Sequence, residues 1–241
     1  LRVQQVAAKR RAALGPGGSP GGTRIVSVLF ADIRGYTTWS ANKRPDEIVL
    51  ALNDYFAKMI DIVIHHGGTI DKFIGDAIMV VFGGPQQQDD HADRAVAAAV
   101  EMQQAMRALN KDFAMGIGVN TGEVLLGTIG SVKRMSYTAM GDNVNLAQRL
   151  ESKALAGQVL ISRATFRALK RPGAFQVDEL EAITVKGKKA PVDVLEARAR
   201  DHRAASSKTL MKSAKPAAKK SSPPYPLPQS LLREKNRRKS R

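Results

Sequence analysis

Apolar and polar positions along this chain follow two periods, and the switches between them mark out the elements. Ile25–Ala31 (IVSVLFA) is a short continuous apolar run, the pattern of a buried strand. From Pro45 the period becomes helical. Pro45 presets a first turn, Asp46 and Glu47 put acids at the positive dipole end, and Ile48, Leu52, Phe56, Met59 and Val63 form an apolar stripe. That stripe stops at Gly67-Gly68. Thr69–Ile74 and Ala77–Phe82 are strand-like runs separated only by Gly75 and Asp76, which predicts a tight hairpin. Asp89 to Leu109 reads as a second long helix with Ala95, Ala99, Met102, Met106 and Leu109 on one side. Phe113–Asn120 and Val124–Ile129 read as two strands flanking Thr121-Gly122-Glu123. The strand-like SYTAM precedes a third helix from Asp142 to Lys153, and short strands near Gln158–Ile161, Phe175–Glu179 and Val192–Glu196 follow. The opening order of strand, helix, hairpin, helix and strand predicts an α/β fold, an α+β sandwich on a mostly antiparallel sheet.

Composition divides the 241 residues into three parts. Residues 1–23 read as the Ala/Arg-rich end of a helix followed by a flexible linker, GPGGSPGG. Residues 24–197 hold the alternating pattern and are long enough to bury a real core. Residues 198–241 are rich in Lys, Ala, Ser and Pro, a composition that predicts disorder. A start at Leu1 rather than Met reads as a fragment or processed piece of something longer. With no cysteine there is no disulfide framework and no thiolate metal site, which fits a reducing, cytoplasmic setting. No apolar stretch approaches the ~20 residues of a membrane span, and no signal peptide is visible.

The net charge of +16 looks at first like a nucleic-acid binder. Location changes that reading. The last 44 residues hold fourteen Lys or Arg against Asp201 and Glu234, and residues 1–24 hold no acid at all, so residues 25–197 are close to neutral. A nucleic-acid-binding domain carries its positive charge on a face of the fold instead. Composition makes the basic tail a solvated extension. The alternative is weak attachment to anionic lipid or nucleic acid, at about 1 kcal/mol per basic residue near a charged membrane.

Two carboxylates stand out. Asp32 follows the first strand, and Asp76 sits in the hairpin turn. Either one alone is ordinary turn chemistry. If the first strand lies beside the hairpin, however, both emerge at one sheet edge, where they could hold Mg²⁺ against substrate phosphates. Two metals so held would activate an attacking oxygen and stabilise a leaving one. His65 and His66 read as the end of a helix, and His91 with Asp89, Asp90 and Asp93 as an acid-rich helix start. Trp39 and the Met residues of the second long helix read as core packing.

Four separated motifs, FADIRGYTTWS, DKFIGDAIMVVF, YTAMGDNVNLAQRLE and ITVKGKKAPVDVLE, occur in one order. Together they make residues 24–197 similar to the class III adenylyl/guanylyl cyclase catalytic domain. The resemblance implies a ferredoxin-like βαββαβ palm-type core with a C-terminal extension. It implies two divalent ions, Mg²⁺ or Mn²⁺, at Asp32 and Asp76, with the backbone carbonyl of Ile33 assisting. It makes Lys72 and Thr138 the base-recognition pair and Lys186 the triphosphate lysine, with Lys188 as the adjacent competitor. It makes Asn145 and Arg149 the pair that orients the ribose and stabilises the transition state. Tyr36 stands where phenylalanine is common, and Thr138 where many members have Asp and one subgroup has Thr.

These residue types suit cyclisation of a nucleoside triphosphate. Arg149 can present a planar fork to the phosphate where charge develops, and on a helix Asn145 shares its face. Lys72 has only donors, so it suits adenine N1 and opposes guanine N1–H. Thr138 can accept from adenine N6, although a hydroxyl can also donate. The expected activity is therefore adenylyl cyclase, turning ATP into cyclic AMP and pyrophosphate. Guanylyl cyclase and a catalytically silent nucleotide-binding module are the alternatives. A palm-type polymerase, using the basic tails for its template, has no use for a Lys72/Thr138 base pocket. Because one chain carries both the metal set and the base and transition-state set, the resemblance implies a head-to-tail homodimer with two composite sites.

Overall fold

The computed structural model describes residues 22–109, 113–131, 134–185 and 190–200, all within the first of two units, Leu1–Arg200. Its first strand is longer than the apolar run that announced it. Strand β1 spans Gly22–Arg34, because its backbone is paired along its whole length with β4, Ala114–Ser131, from Gly22↔Leu126 to Arg34↔Ala114. On its other edge it pairs with β3, Ala77–Phe82, from Ser27↔Phe82 to Ala31↔Ile78. Pairing, rather than apolarity, sets the ends of this strand.

Around that centre, β2 (Thr69–Ile74) forms the hairpin with β3, and β6 (Val159–Ser162), β8 (Val194–Ala199) and β7 (Phe175–Glu179) extend the sheet beyond β4. The order is β2-β3-β1-β4-β6-β8-β7, with β5 (Arg134–Met140) paired only to β4. Every pair among these eight strands is antiparallel except β4 with β6. The first four strands give the β2-β3-β1-β4 arrangement of a ferredoxin-like βαββαβ core, so the expected fold class is the one found.

The helices are α1 (Tyr36–Ser40), α2 (Pro45–His65), α3 (His91–Leu109), α4 (Asp142–Lys153) and α5 (Arg163–Ala168). Alternation along β1 decides what each face receives. Leu29, Ala31 and Ile33 pack with Tyr55, Met59 and Val63 of α2 and Ala99, Met102 and Met106 of α3. Val26, Val28 and Phe30 point the other way, toward Val144 and Ala147 of α4. The sheet is thus covered on both faces, α2 and α3 on one and α4 on the other.

Several expectations change. The two strands around Thr121-Gly122-Glu123 are one unbroken β4, because Ser27↔Thr121, Val26↔Gly122 and Ile25↔Glu123 continue the ladder. Gly122 marks a close approach instead of a turn: a side chain there would overlap the amide of Asn143 on α4. Helices α1 and α5, of five and six residues, are too short to show an apolar period. Leu109 is exposed at the end of α3, whereas Met102 and Met106 are buried as expected. His66 pairs with Glu101 at 2.7 Å, tying the end of α2 to α3, and His91 Nδ1 lies 2.9 Å from Ser27 Oγ. Trp39 meets Phe113 edge-on at 4.7 Å. Among the described residues no helix is long and apolar enough to cross a membrane. The expectations for residues 1–21 and 201–241 lie outside the described residues.

Candidate active site

The end of β1 aims three consecutive residues in two directions. Asp32 and Arg34 continue the row of Val26, Val28 and Phe30 toward the α4 face, while Ile33 turns into the opposite core. Asp76 sits in the two-residue turn between β2 and β3, where Gly75 takes the left-handed backbone, φ 64°, that a tight turn needs. Because β1 and β3 are in register to Ala31↔Ile78, Asp32 arrives beside that turn, close enough to Asp76 for that carboxylate to oppose its ionisation. Burial, then the neighbouring Asp76, then Glu151 push the Asp32 carboxyl up to about 7, against the opposing pull of Arg34.

Arg34 fastens this strand end to α4. Its Nη1 is 2.7 Å from Glu151 Oε1 and 3.4 Å from Asp32 Oδ2. Its Nε donates to the carbonyl of Ala154 at 3.0 Å, and its Nη2 donates to the carbonyl of Glu151. The guanidinium occupies the space that a side chain at position 116 would take, so Gly116 on β4 is what admits it. Burial raises the Glu151 carboxyl, and Arg34 pulls it back. Among the described residues the buried hydroxyl of Tyr55 has no hydrogen-bond partner, and burial with the nearby carboxylates lifts its phenol far above the ordinary range.

These residues fit a divalent cation that also binds phosphate. Two carboxylates forced together, one of them held against ionisation by its neighbours, gain from a cation between them. Among the described residues no cluster of three or more His, Cys, Asp or Glu forms a closed cage. An ion of the Mg²⁺ type does not need one, since it takes one or two carboxylates and completes its shell with water and phosphate oxygens.

A second cluster lies where β5 reaches over β2. Lys72 Nζ donates to Thr138 Oγ1 at 3.0 Å, and Thr138 Oγ1 donates to Asp71 Oδ2 at 2.8 Å. Asp71 Oδ1 accepts the backbone N–H of Ala139 at 3.1 Å, and Asp71 Oδ2 lies 3.2 Å from Lys72 Nζ. The structure thus brings together Lys72 and Thr138, 66 residues apart in the chain. Asp71 is the member that sequence reasoning missed.

Helix α4 is seated on β4 by its first turn. Asn143 Nδ2 donates to the carbonyl of Glu123 at 2.8 Å, Asn120 Nδ2 donates to the carbonyl of Asn143 at 2.9 Å, and Gly118 leaves room for the α4 backbone. Asn145 is exposed, and Arg149, one turn on, is half-buried with its Nη1 3.9 Å from Asp142 Oδ1. Among the described residues, no hydrogen bond or ion pair joins either of them to Asp32 or Asp76. Lys186 and its competitor Lys188 lie outside the described residues.

Known proteins resemble this chain in sequence and in fold. A model of the family "Adenylate and Guanylate cyclase catalytic domain" matches residues 21–195. An adenylate cyclase of Anabaena cylindrica is 38% identical over 192 residues, covering 73% of this chain and 37% of that protein. Adenylate cyclase 1 of Rhizobium meliloti is 32% identical, covering 75% of this chain and 28% of that protein. The chain therefore spans about a third of the length of these relatives. Among solved structures, the adenylyl cyclase CyaB from P. aeruginosa superposes with a TM-score of 0.73 at 33% identity, covering 76% of this chain and 98% of that one. The guanylyl cyclase Cya2 gives 0.70 at 44% identity, covering 74% and 94%.

Proposed function

The chain belongs to the adenylate and guanylate cyclase catalytic domain family, and from that premise we propose that it is an adenylyl cyclase, converting ATP to 3′,5′-cyclic AMP and pyrophosphate. The contact that carries the choice of base is Lys72 Nζ to Thr138 Oγ1 at 3.0 Å. Together these side chains offer one edge of a purine a donor and an acceptor, which suits N1 and N6 of adenine.

The reading assigns roles as follows. Asp32 and Asp76, with the carbonyl of Ile33, hold two divalent ions, Mg²⁺ or Mn²⁺. When bound, these ions lower the pKa of the ribose 3′ hydroxyl and neutralise charge on the phosphates. Arg34 keeps Asp32 aimed at the hairpin turn. Arg149 stabilises the charge that develops at the α-phosphate, Asn145 orients the ribose, and Lys186 binds the triphosphate. Among the described residues no hydrogen bond or ion pair links Asn145 or Arg149 to the carboxylate pair of their own chain, which supports a head-to-tail homodimer in which each site takes its metal set from one copy and its base and transition-state set from the other. Residues 24–197 form the catalytic domain, flanked by the linker segment 1–23 and the basic tail 198–241. The setting is cytoplasmic, and no specific nucleic acid is involved. The tail's contact with anionic membranes is the alternative to a solvated extension.

One observation favours a second reading: the guanylyl cyclase Cya2, at 44%, is more similar in identity than the adenylyl cyclase CyaB, at 33%. The base cluster supports the adenylyl reading instead, because Lys72 opposes guanine N1–H. Changing Lys72 to Glu together with Thr138 to Ala tests this choice. The ratio of kcat/KM for ATP over GTP should fall at least about tenfold, because the site then leaves polar groups unpaired against adenine. An unchanged ratio would mean that the base is read elsewhere.

A further inference from the structure

We propose that Asp71 is a positioning residue for base selection: it takes the hydroxyl proton of Thr138, fixes that oxygen as an acceptor, and so restricts the site to purines carrying an amino group at position 6. The inference rests on the base-recognition reading of Lys72 and Thr138.

A hydroxyl is ambiguous, because it donates or accepts as its partner requires. At Thr138 the surroundings remove the ambiguity. The strand β2 carries a bulge between Ile70 and Lys72: Ile70 faces Val80 and Lys72 faces Met79, so Asp71 is the extra residue. In an unbroken strand Asp71 and Lys72 would point to opposite faces. The bulge instead brings both side chains to Thr138. The Asp71 side chain is 5% exposed, and both its oxygens are engaged: Oδ1 accepts the N–H of Ala139, and Oδ2 accepts the hydroxyl of Thr138.

Counting what remains gives the specificity. Thr138 has one hydrogen and two lone pairs; the hydrogen goes to Asp71 and one lone pair to Lys72, which leaves one acceptor. Lys72 has three hydrogens; one goes to Thr138 and one lies toward Asp71, which leaves one donor. A 6-aminopurine offers the complement, an acceptor at N1 and a donor at N6. A 6-oxopurine offers the reverse at both atoms, a donor at N1 and an acceptor at O6. If Asp71 did not hold the proton, the Thr138 hydroxyl could turn and serve O6.

Asp71→Asn reverses this polarity without changing the shape. The N–H of Ala139 still needs an acceptor, so the amide turns its oxygen there and its NH₂ toward Thr138, whose own proton must then turn away from position 71, to the base or to the Ala139 carbonyl 3.4 Å away. The test compares kcat/KM for ATP and ITP, which carries a 6-oxygen and no 2-amino group, using the full chain. The ATP-to-ITP ratio should fall about tenfold or more in Asp71→Asn. In a Thr138→Val background the same change should leave the ratio within about twofold, because the group it acts through is gone. Equal losses for both nucleotides in Asp71→Asn, or an undiminished shift in the Thr138→Val background, would make Asp71 a strap between β2 and β5 and overturn the proposal. Thermal unfolding checks the fold. Should Asp71→Asn not fold, Thr138→Val alone should lower ATP turnover more than ITP turnover, and equal loss again overturns the proposal. The two readings fail separately. A wild-type chain that uses GTP and not ATP removes the adenylyl reading and this inference together, whereas an ATP-selective wild type with an unmoved variant ratio removes the inference alone.

Discussion

Replacing Asp32 by Asn should end turnover and yet make the metal-free protein more stable at pH 8. Lifting a carboxyl from its ordinary 3.8 to about 7 opposes the ionised form by about 4 kcal/mol. The side chain is 30% exposed, and solvent screening reduces the effect to about 2 kcal/mol. The sign follows from proton counting. Between about pH 4 and pH 7 the folded chain holds a proton at Asp32 that the unfolded chain has lost, so stability falls as pH rises through that window. Asn carries no such proton and escapes the loss. Thermal unfolding followed by circular dichroism, with chelator present, should show the variant about 4–8 °C above the wild type at pH 8, for a domain of this size. The gap should close toward pH 4. Adding Mg²⁺ should then raise the wild type and leave the variant unmoved, since only the intact pair gains from the ion. A variant no more stable at pH 8, or a gap independent of pH, would refute the claim that Asp32 is held against ionisation by its surroundings.

Other consequences follow from the same geometry. Mixing Asp32→Ala with Arg149→Ala should restore activity that each lacks alone, because one site of the mixed dimer carries neither lesion; with chain exchange confirmed by pull-down, a silent mixture would remove the two-copy site. Gly116→Ala should destabilise the fold by about 1–3 kcal/mol in denaturant titration, since the added methyl meets the Arg34 guanidinium and a packed interior resists the displacement. A midpoint equal to wild type would mean that Arg34 is not held where it stands.

The carboxylate pair was legible in the sequence because its logic is local: a strand end and a two-residue hairpin turn need only lie side by side, and the β1–β3 register does that. The order of elements announced the sheet for the same reason. Asp71 was not legible, since alternation assigns it to the face opposite Lys72 and only a bulge reverses that. Arg34 lies within the motif that named Asp32, but its value depends on Gly116 and on the end of α4, which are distant in sequence and joined only by the fold. Gly122 misled because glycine most often signals a turn, and here it clears space for Asn143 within an unbroken strand.

The central claim is that this chain cyclises ATP. Incubating the purified chain with Mg²⁺ or Mn²⁺ and either ATP or GTP, and separating the products by chromatography, tests it directly. The account predicts 3′,5′-cyclic AMP and pyrophosphate from ATP, with GTP a poor substrate. Cyclic GMP as the main product, or no cyclic nucleotide from a folded dimer supplied with metal, would contradict it.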